Sequence, residues 1–299
     1  MEKTRYFLLR ATTWLFQIFP LRFHYLFSDI FFILAYFIFR YRRVVVANNL
    51  ANSFPEKTQK ERDRIARGFY RHFCDTFVET LYFDRIPMKE GKNCVRYLNP
   101  ELPNGYLDQG RQVITFLGHC NNWEWFCNWP LYSTHKFYAI YKKLKNNVFE
   151  RFYLHLRSRF GAIPLERAAT YRQLVTDLQN NIPTMSAFLF DQTPRIYEIH
   201  HWVTFLNQDT PVVLGTEKVA QKLDAVVLFA QSRKVKRGFY EVEYQLVTEH
   251  AGACPKFEIT EKCTHLLEQQ IIKNPEFWLW SHKRWKHNRE KVAEYNAGH

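Results

Sequence analysis

The sequence lacks the spacings with which proteins hold structural metals or disulfide frameworks. Its six cysteines form no Cys-x-x-Cys pair and no regular ladder, so reduced thiols in a cytoplasmic compartment are the simplest interpretation. His119, Cys120, Glu124 and Cys127 are close in sequence. The helical His-Glu-x-x-His arrangement is absent, however, and four side chains with this spacing diverge around a helix. We therefore expect no metal site.

Acidic side chains are scarce relative to basic ones. The chain has 29 Asp and Glu against 42 Lys and Arg, which gives a formal net charge of +13. This surplus favours an anionic partner, such as a phospholipid surface, a phosphorylated glycolipid or an acidic carrier protein. Helix-turn-helix, zinc-finger and aromatic ribonucleoprotein patterns are missing, and the basic residues are spread along the chain. Nucleic acid is therefore not an expected partner.

A clean membrane-spanning run is also missing, although residues 14–39 are mostly aromatic and aliphatic. Four residues interrupt the run: Pro20, Arg22, His24 and Asp29. Because a spanning helix needs roughly 20 apolar residues, a short, tilted or interfacial anchor is as good an interpretation as a full crossing, and a buried core helix is the alternative. No small-residue cleavage site follows, which argues against a removed signal peptide. Arg40, Arg42 and Arg43 would suit anionic cytoplasmic headgroups.

Internal repeats, low-complexity tracts and long linkers are absent, so we predict one catalytic domain, residues 46–299, behind an N-terminal membrane anchor, residues 1–45. Candidate strands are residues 113–117, 137–141, 185–190, 225–229 and 240–246. Candidate helices are residues 57–82, 123–130, 147–159, 171–179, 215–223 and 259–272. This alternation predicts an α/β fold with a central sheet covered by helices.

The most informative segment is the apolar, β-branched run at residues 113–117, followed by Gly-His-Cys-Asn-Asn-Trp-Glu at residues 118–124. The run predicts a buried strand, the glycine allows a tight exit, and a helix is expected to begin near Trp123. His119 would then lie between strand and helix as a general base, with Glu124 orienting its imidazole. On a continuous helix these two side chains would be about 140° apart, so the pairing requires an irregular segment. The alternative is a half-buried histidine and a glutamate that complements the helix dipole.

Other polar groups follow predicted strands, where α/β sheets bind ligands. Asp191 and Gln192 follow one strand and Arg233 another; each could equally be a turn residue or a surface charge. Arg157 and Arg159 end a predicted helix, either as cations that complement its dipole or as a phosphate clamp.

The motif at residues 118–124 resembles the Gly-His-x-x-Asn-Trp-Glu signature of the lipid A biosynthesis acyltransferases, the late lauroyl and myristoyl transferases. Further matches follow in the order of that family and cover nearly the whole chain. They include Tyr41, Arg42, Asn48, Asn49, residues 54–56, residues 157–161, Asp191, Gln192, Arg233, Pro275, Trp278, Trp280, His282, Arg284, Trp285 and Lys286. Cys120 departs from the bulkier residue usual in the family, and we expect it to affect packing rather than chemistry.

The resemblance implies a glycerolipid-acyltransferase-like fold with a central mixed sheet and an N-terminal hydrophobic anchor helix. It implies an acyl carrier protein thioester as donor, a phosphorylated lipid A precursor as acceptor, no cofactor, and a place at the inner membrane with the catalytic domain facing the cytoplasm. Five residues are expected to bind substrate: Asn122, Arg159, Asp191, Gln192 and Arg233. Near the C-terminus, we expect the tryptophans to pack in part against the domain and Lys283, Arg284 and Lys286 to face the headgroups.

Two other functions remain open at this point. A relative acting on an aminolipid, glycerolipid or mannolipid would keep His119 and Glu124 and differ in its acceptor pocket. A membrane-binding protein without enzymatic activity would need the basic, aromatic surface but neither residue.

Overall fold

The computed structural model describes residues 2–16, 19–84 and 86–298. The helices are α1 Glu2–Phe16, α2 Leu21–Ile33, α3 Arg43–Ser53, α4 Gln59–Phe83, α5 Glu101–Asp108, α6 Asn147–Ser158, α7 Thr170–Gln179, α8 Gly215–Lys222, α9 Glu258–Lys273 and α10 Arg289–Ala297. The strands are β1 Val95–Tyr97, β2 Val113–Leu117, β3 Lys136–Tyr141, β4 Ile163–Glu166, β5 Thr184–Leu189, β6 Trp202–Phe205, β7 Gln208–Pro211, β8 Val226–Lys236 and β9 Phe239–Thr248.

Seven strands form the central sheet in the order β1-β9-β8-β2-β5-β3-β4. All neighbours pair in parallel except β8 and β9, which form an antiparallel hairpin. β2 is buried along its whole length, as expected for a parallel strand covered by helices on both faces. The predicted α/β class with a mixed sheet flanked by helices is confirmed.

Two apolar clusters cover the two faces of this sheet. Ile114 and Phe116 of β2 belong to one cluster, which includes Trp278 and Trp280, whereas Val113 and Leu117 belong to the other. The alternation follows from the period of two in a strand, which sends successive side chains to opposite faces. The packing of the C-terminal tryptophans against the domain is thereby confirmed.

The longest helix, α4, begins with a capping box. Thr58 accepts a hydrogen bond from the backbone N–H of Glu61, and the Glu61 side chain accepts one from the backbone N–H of Thr58. This reciprocal pair satisfies two donors that a helix start leaves without intrahelical partners. The predicted helix at residues 57–82 therefore starts and ends close to its expected bounds.

From Leu21 onward the N-terminal apolar segment is helical as far as residue 38, since α2 continues into a π-helical turn, Leu34–Ile38. The stretch Leu21–Ile38 has the length and apolar character of a membrane-crossing helix, which makes it a candidate anchor. α2 packs along α4, with His24, Ser28 and Phe32 buried. The division at residue 45 stays a prediction, and positions 1, 17, 18, 85 and 299 of the two predicted ranges lie outside the described residues.

Candidate active site

His119 lies where β2 leaves the sheet, and Gly118 makes this exit possible. A Cβ atom on Gly118 would lie 2.4 Å from Cδ1 of Leu267 in α9, so only glycine lets the backbone pack this closely. The following segment is irregular, with Asn121 in the left-handed region at φ 58°, and a 3₁₀ helix, Trp123–Leu131, begins at the predicted position. The strand, the irregular turn and the helical start are thus as expected.

Asp191 holds the His119 imidazole. β5 is the neighbour of β2, with Leu189 opposite Leu117, so the residues two positions beyond each strand end meet at the same edge of the sheet. Oδ1 of Asp191 lies 2.6 Å from Nδ1 of His119. Oδ2 accepts a hydrogen bond from the His119 backbone N–H and one from Nε1 of Trp278, both at 2.8 Å. Because an ionised carboxylate can only accept, Nδ1 carries the proton and Nε2 keeps its lone pair.

The environment of Asp191 keeps it ionised. Burial by itself favours the neutral acid, but the electrostatic interaction with His119 and the hydrogen bonds from His119 and Trp278 outweigh it and lower the pKa of Asp191 to about 2. Asp191 therefore places a buried negative charge directly beside the imidazole ring.

Glu124 is placed differently from the sequence prediction. Its carboxylate receives two hydrogen bonds from Arg157, from Nε at 2.8 Å and from Nη2 at 2.7 Å. The orienting partner of His119 is Asp191, so the expected pairing of His119 with Glu124 is corrected here. The physical reason is that the irregular turn leaves Glu124 in the first turn of the 3₁₀ helix, facing α6, where Arg157 offers a bidentate fork. A catalytic role for Glu124 stays a prediction.

Gln192 and Trp123 complete the surroundings of the imidazole. The Gln192 side-chain amide lies 3.1 Å from Nε2 of His119 and can donate to its lone pair. The Trp123 ring meets the imidazole edge-on, with ring centroids 4.9 Å apart. Nε2 of His119 thus faces the side-chain amide of Gln192.

Asn122 lies beneath the site rather than on its surface. It is fully buried, and its Nδ2 donates to Oε2 of Glu79 at 2.9 Å. Tyr240 donates to the same oxygen at 2.7 Å, while Oε1 accepts from Tyr25 at 2.8 Å and from the Gly238 backbone at 3.0 Å. Glu79 therefore ties α2, the β8–β9 hairpin and the turn after His119 together. The substrate contact expected of Asn122 stays a prediction, and it would require this turn to open.

The two predicted arginines lie on different parts of the molecule. Arg159 follows α6, and its guanidinium donates to the backbone oxygen of Ile86. Arg233 lies on β8 beyond the end of β2, with a side chain that is 63% exposed and paired with the buried Glu241. The structure does not bring either guanidinium to the His119–Asp191 pair, and their roles in substrate binding stay predictions.

A buried cation lies near the pair instead. Arg284 is only 2% exposed and donates to the backbone oxygen of Pro211 at 2.8 Å. Its Nε and Nη1 are buried without a hydrogen-bond partner among the described residues. Burial lowers the pKa of Arg284 to about 10, although Asp191 acts in the opposite direction. The expectation that Arg284 faces lipid headgroups is wrong, because its side chain is buried and donates to the backbone oxygen of Pro211.

The sequence does not single out Glu79, and the resemblance favours Arg159 over Arg157. A buried glutamate in the middle of α4 has no local signature that separates it from a surface charge. Arg157 could have been preferred, because it lies within the last turn of α6, whereas Arg159 lies just beyond the helix end.

Comparison with known proteins identifies the family of this chain. The sequence profile of the bacterial lipid A biosynthesis acyltransferases matches residues 1–287, which is almost the whole chain, and a search of curated proteins finds no match. The profile includes β2, β5 and the C-terminal segment that together build the site around His119. This chain therefore belongs to the bacterial lipid A biosynthesis acyltransferase family, and it is an acyltransferase that acts on lipid A.

Proposed function

We propose that this protein transfers a fatty acyl chain from an acyl carrier protein thioester to a hydroxyl of a lipid A precursor, at the cytoplasmic face of the inner membrane. The observation that supports it most is the His119 imidazole, held by Asp191 at 2.6 Å where two central strands end, in a chain of this family.

The first chemical step is removal of a proton from the acceptor hydroxyl. With Nδ1–H donating to Asp191, the lone pair on Nε2 of His119 accepts this proton as the acceptor oxygen replaces the Gln192 amide. The imidazolium that forms is stabilised by the adjacent carboxylate. Asp191 thus acts on the reaction by fixing the tautomer and balancing the charge.

The second step is acyl transfer itself. The acceptor oxygen attacks the thioester carbonyl carbon, the carbon–sulfur bond breaks, and the carrier thiolate takes the proton back from the imidazolium. The enzyme returns to its starting state without a covalent intermediate. The thioester is a co-substrate that arrives already activated, so the proposed reaction needs no further cofactor.

The remaining predicted residues are Glu124, which is predicted to be catalytic, and two arginines that are predicted to bind substrate. Glu124 and Arg157 form a largely buried ion pair, with side chains 9% and 16% exposed, at the wall formed by the 3₁₀ helix and α6. Arg159 and Arg233 are proposed contacts for the phosphates of the acceptor or for the acidic carrier protein, since guanidinium groups suit both. The net charge of +13 supports attraction of both anionic substrates.

The test is a transfer assay in lipid vesicles with labelled donors and a panel of acceptors. Donors are acyl carrier protein and coenzyme A thioesters of the same acyl chain; acceptors are a lipid A precursor, an aminolipid, a glycerolipid and a mannolipid. Product on the lipid A precursor from the carrier-protein donor supports the proposal. Preference for the coenzyme A donor overturns the assignment of acyl carrier protein as the donor. Product on another lipid alone overturns the assignment of a lipid A precursor as the acceptor. No product on any acceptor from folded protein overturns the reaction.

A further inference from the structure

The helix long enough to cross a membrane has two very different faces. His24, Ser28, Phe32 and Tyr36, at intervals of four residues, are buried against the domain. The opposite face is exposed and apolar, with side chains between 40% and 61% exposed. It consists of Phe23, Leu26, Phe27, Ile30, Ile33 and Phe37. An apolar surface of this extent on one side of a helix is typical of contact with lipid rather than water.

The buried face of the helix is attached to the catalytic domain by polar contacts. Ser28 donates to the buried Asp75 at 2.7 Å, and Asp29 pairs with Arg237 at 2.6 Å. Arg237 also bonds Asp75 at 2.8 Å. At the start of the helix, Gly238 packs so closely against Leu21 that a Cβ there would lie 2.6 Å from Cδ2 of the leucine. The helix is therefore attached to the domain along its length.

These contacts are incompatible with a crossing. Asp29 lies at the middle of Leu21–Ile38, so a spanning helix would place it, Arg237 and Asp75 at the centre of the bilayer. Charged groups are costly there, and hairpin backbone is not tolerated where lipid surrounds it. A position in the plane of the interface keeps these charges on the protein side and the apolar face in lipid.

The flanking segments give an independent argument. Before the helix, Arg10 of α1 forms two hydrogen bonds of 2.6 Å with the buried Asp84, and Arg151 of α6 lies over the Tyr6 ring at 4.1 Å. After the helix, Asn49 of α3 donates to the backbone oxygen of Trp280 at 2.8 Å. Both flanks thus contact the same domain, whereas a single crossing would put α1 on the far side of the membrane.

We propose that Leu21–Ile38 lies in the plane of one leaflet of an anionic phospholipid bilayer and that the N-terminus stays on the side of the catalytic domain. The exposed Arg22, Arg40 and Arg43 at the ends of the helix meet the anionic headgroups. Phe7 and Leu8 of α1 are also exposed apolar side chains, at 70% and 59%. This inference rests on the membrane association in the proposed function and specifies its geometry.

Thiol labelling separates the two geometries. In a Cys254→Ser background, which removes the one partly exposed cysteine, single variants Thr4→Cys and Val44→Cys place thiols before and after the helix. Sealed inverted inner-membrane vesicles, cytoplasmic face outward, are treated with a membrane-impermeant maleimide. The proposal predicts labelling of both thiols without permeabilisation. Labelling of Thr4→Cys only after permeabilisation overturns it and leaves the acyltransfer proposal standing, which the same vesicles test by product formation.

A second measurement tests the lipid contact itself. Ile30→Glu puts a charge on the apolar face, and Tyr171→Glu on α7 is the matched control, because these side chains are 51% and 50% exposed. With vesicles containing phosphatidylglycerol, the Ile30 variant should lose roughly tenfold or more in partitioning, while the control changes little. Equal partitioning of both variants overturns the proposed face, and failure of the unmodified protein to bind vesicles overturns membrane association as well.

Discussion

Asp191→Asn is the substitution that tests whether Asp191 orients the imidazole of His119. Oδ2 of Asp191 faces two donors, the His119 backbone N–H and Nε1 of Trp278. An asparagine at this position places its oxygen there and its NH₂ group where Oδ1 was. That NH₂ group donates to Nδ1 of His119, so the ring proton moves to Nε2 and the lone pair needed for catalysis is lost.

The size of the effect follows from this tautomer change. In serine protease triads the same exchange leaves the geometry intact and lowers kcat about 10⁴-fold. Because the donors at Oδ2 hold the asparagine in one orientation, we expect a loss of about 10³- to 10⁴-fold here, or roughly 4 to 5.5 kcal/mol in the barrier. The shape of the side chain is unchanged, so the fold should be retained.

The assay measures single-turnover transfer from labelled acyl carrier protein to a lipid A precursor, with circular dichroism and thermal unfolding of each variant alongside. Thr193→Val, next to the site but outside the pair, serves as a control for local disturbance. Activity of Asp191→Asn within tenfold of the wild type would refute the assignment of Asp191 as the orienting group.

Three further predictions follow from the buried charges. Glu124→Gln and Arg157→Lys should each reduce activity and stability, and the double variant should lose less than the sum, because the two groups form one bidentate pair; strictly additive losses would show that they act separately. Glu79→Gln should lower the free energy of unfolding in urea by roughly 2 kcal/mol or more, since an amide NH₂ would face two buried donors, whereas Tyr240→Phe, which removes one donor, should cost about 1 kcal/mol; equal small losses would contradict the network. The folded pKa of Asp191 is about 2, below its usual 3.8, so its contribution to stability is present above pH 4 and is lost as the pH falls towards 2. The free energy of unfolding of the wild type should therefore fall more steeply over that pH range than that of Asp191→Asn. Parallel pH curves for the two proteins would argue against a lowered pKa of Asp191.

The central strands could be predicted because their residues are apolar on both faces. The expected bounds of β2 match the structure, and β3, β5 and β9 differ by one or two residues at an end. β8 is longer than predicted, because its second half extends past β2, pairs only with β9 and carries exposed polar residues. A pattern based on burial cannot detect this part of the strand.

The short elements at the edges were missed for a different reason. β1 and β4 have three and four residues, too few to show a period. The β6–β7 hairpin turns at Leu206 and Asn207, at φ 50° and 60°, without the glycine that usually signals such a turn. The chain there contains a left-handed leucine, which no propensity rule anticipates.

In the site, the position of His119 at the strand end could be predicted and its hydrogen-bond partner could not. His119 follows a recognisable strand, and a carboxylate five residues later is the nearest candidate in sequence. The actual partner is 72 residues away and becomes a neighbour only because β5 lies beside β2 in the sheet. Sequence analysis identified Asp191 as a group at a strand end, but the strand order that brings it to His119 is a property of the whole fold.

The measurement that tests the account most directly is transfer from acyl carrier protein to a lipid A precursor by the His119→Ala variant. His265→Ala is the matched control, since this histidine lies on α9 with a side chain that is 66% exposed. The account predicts that His119→Ala keeps its fold and its binding to vesicles and loses acyl transfer, while His265→Ala transfers at the wild-type rate. Undiminished transfer by folded His119→Ala would contradict the role of His119 as the base.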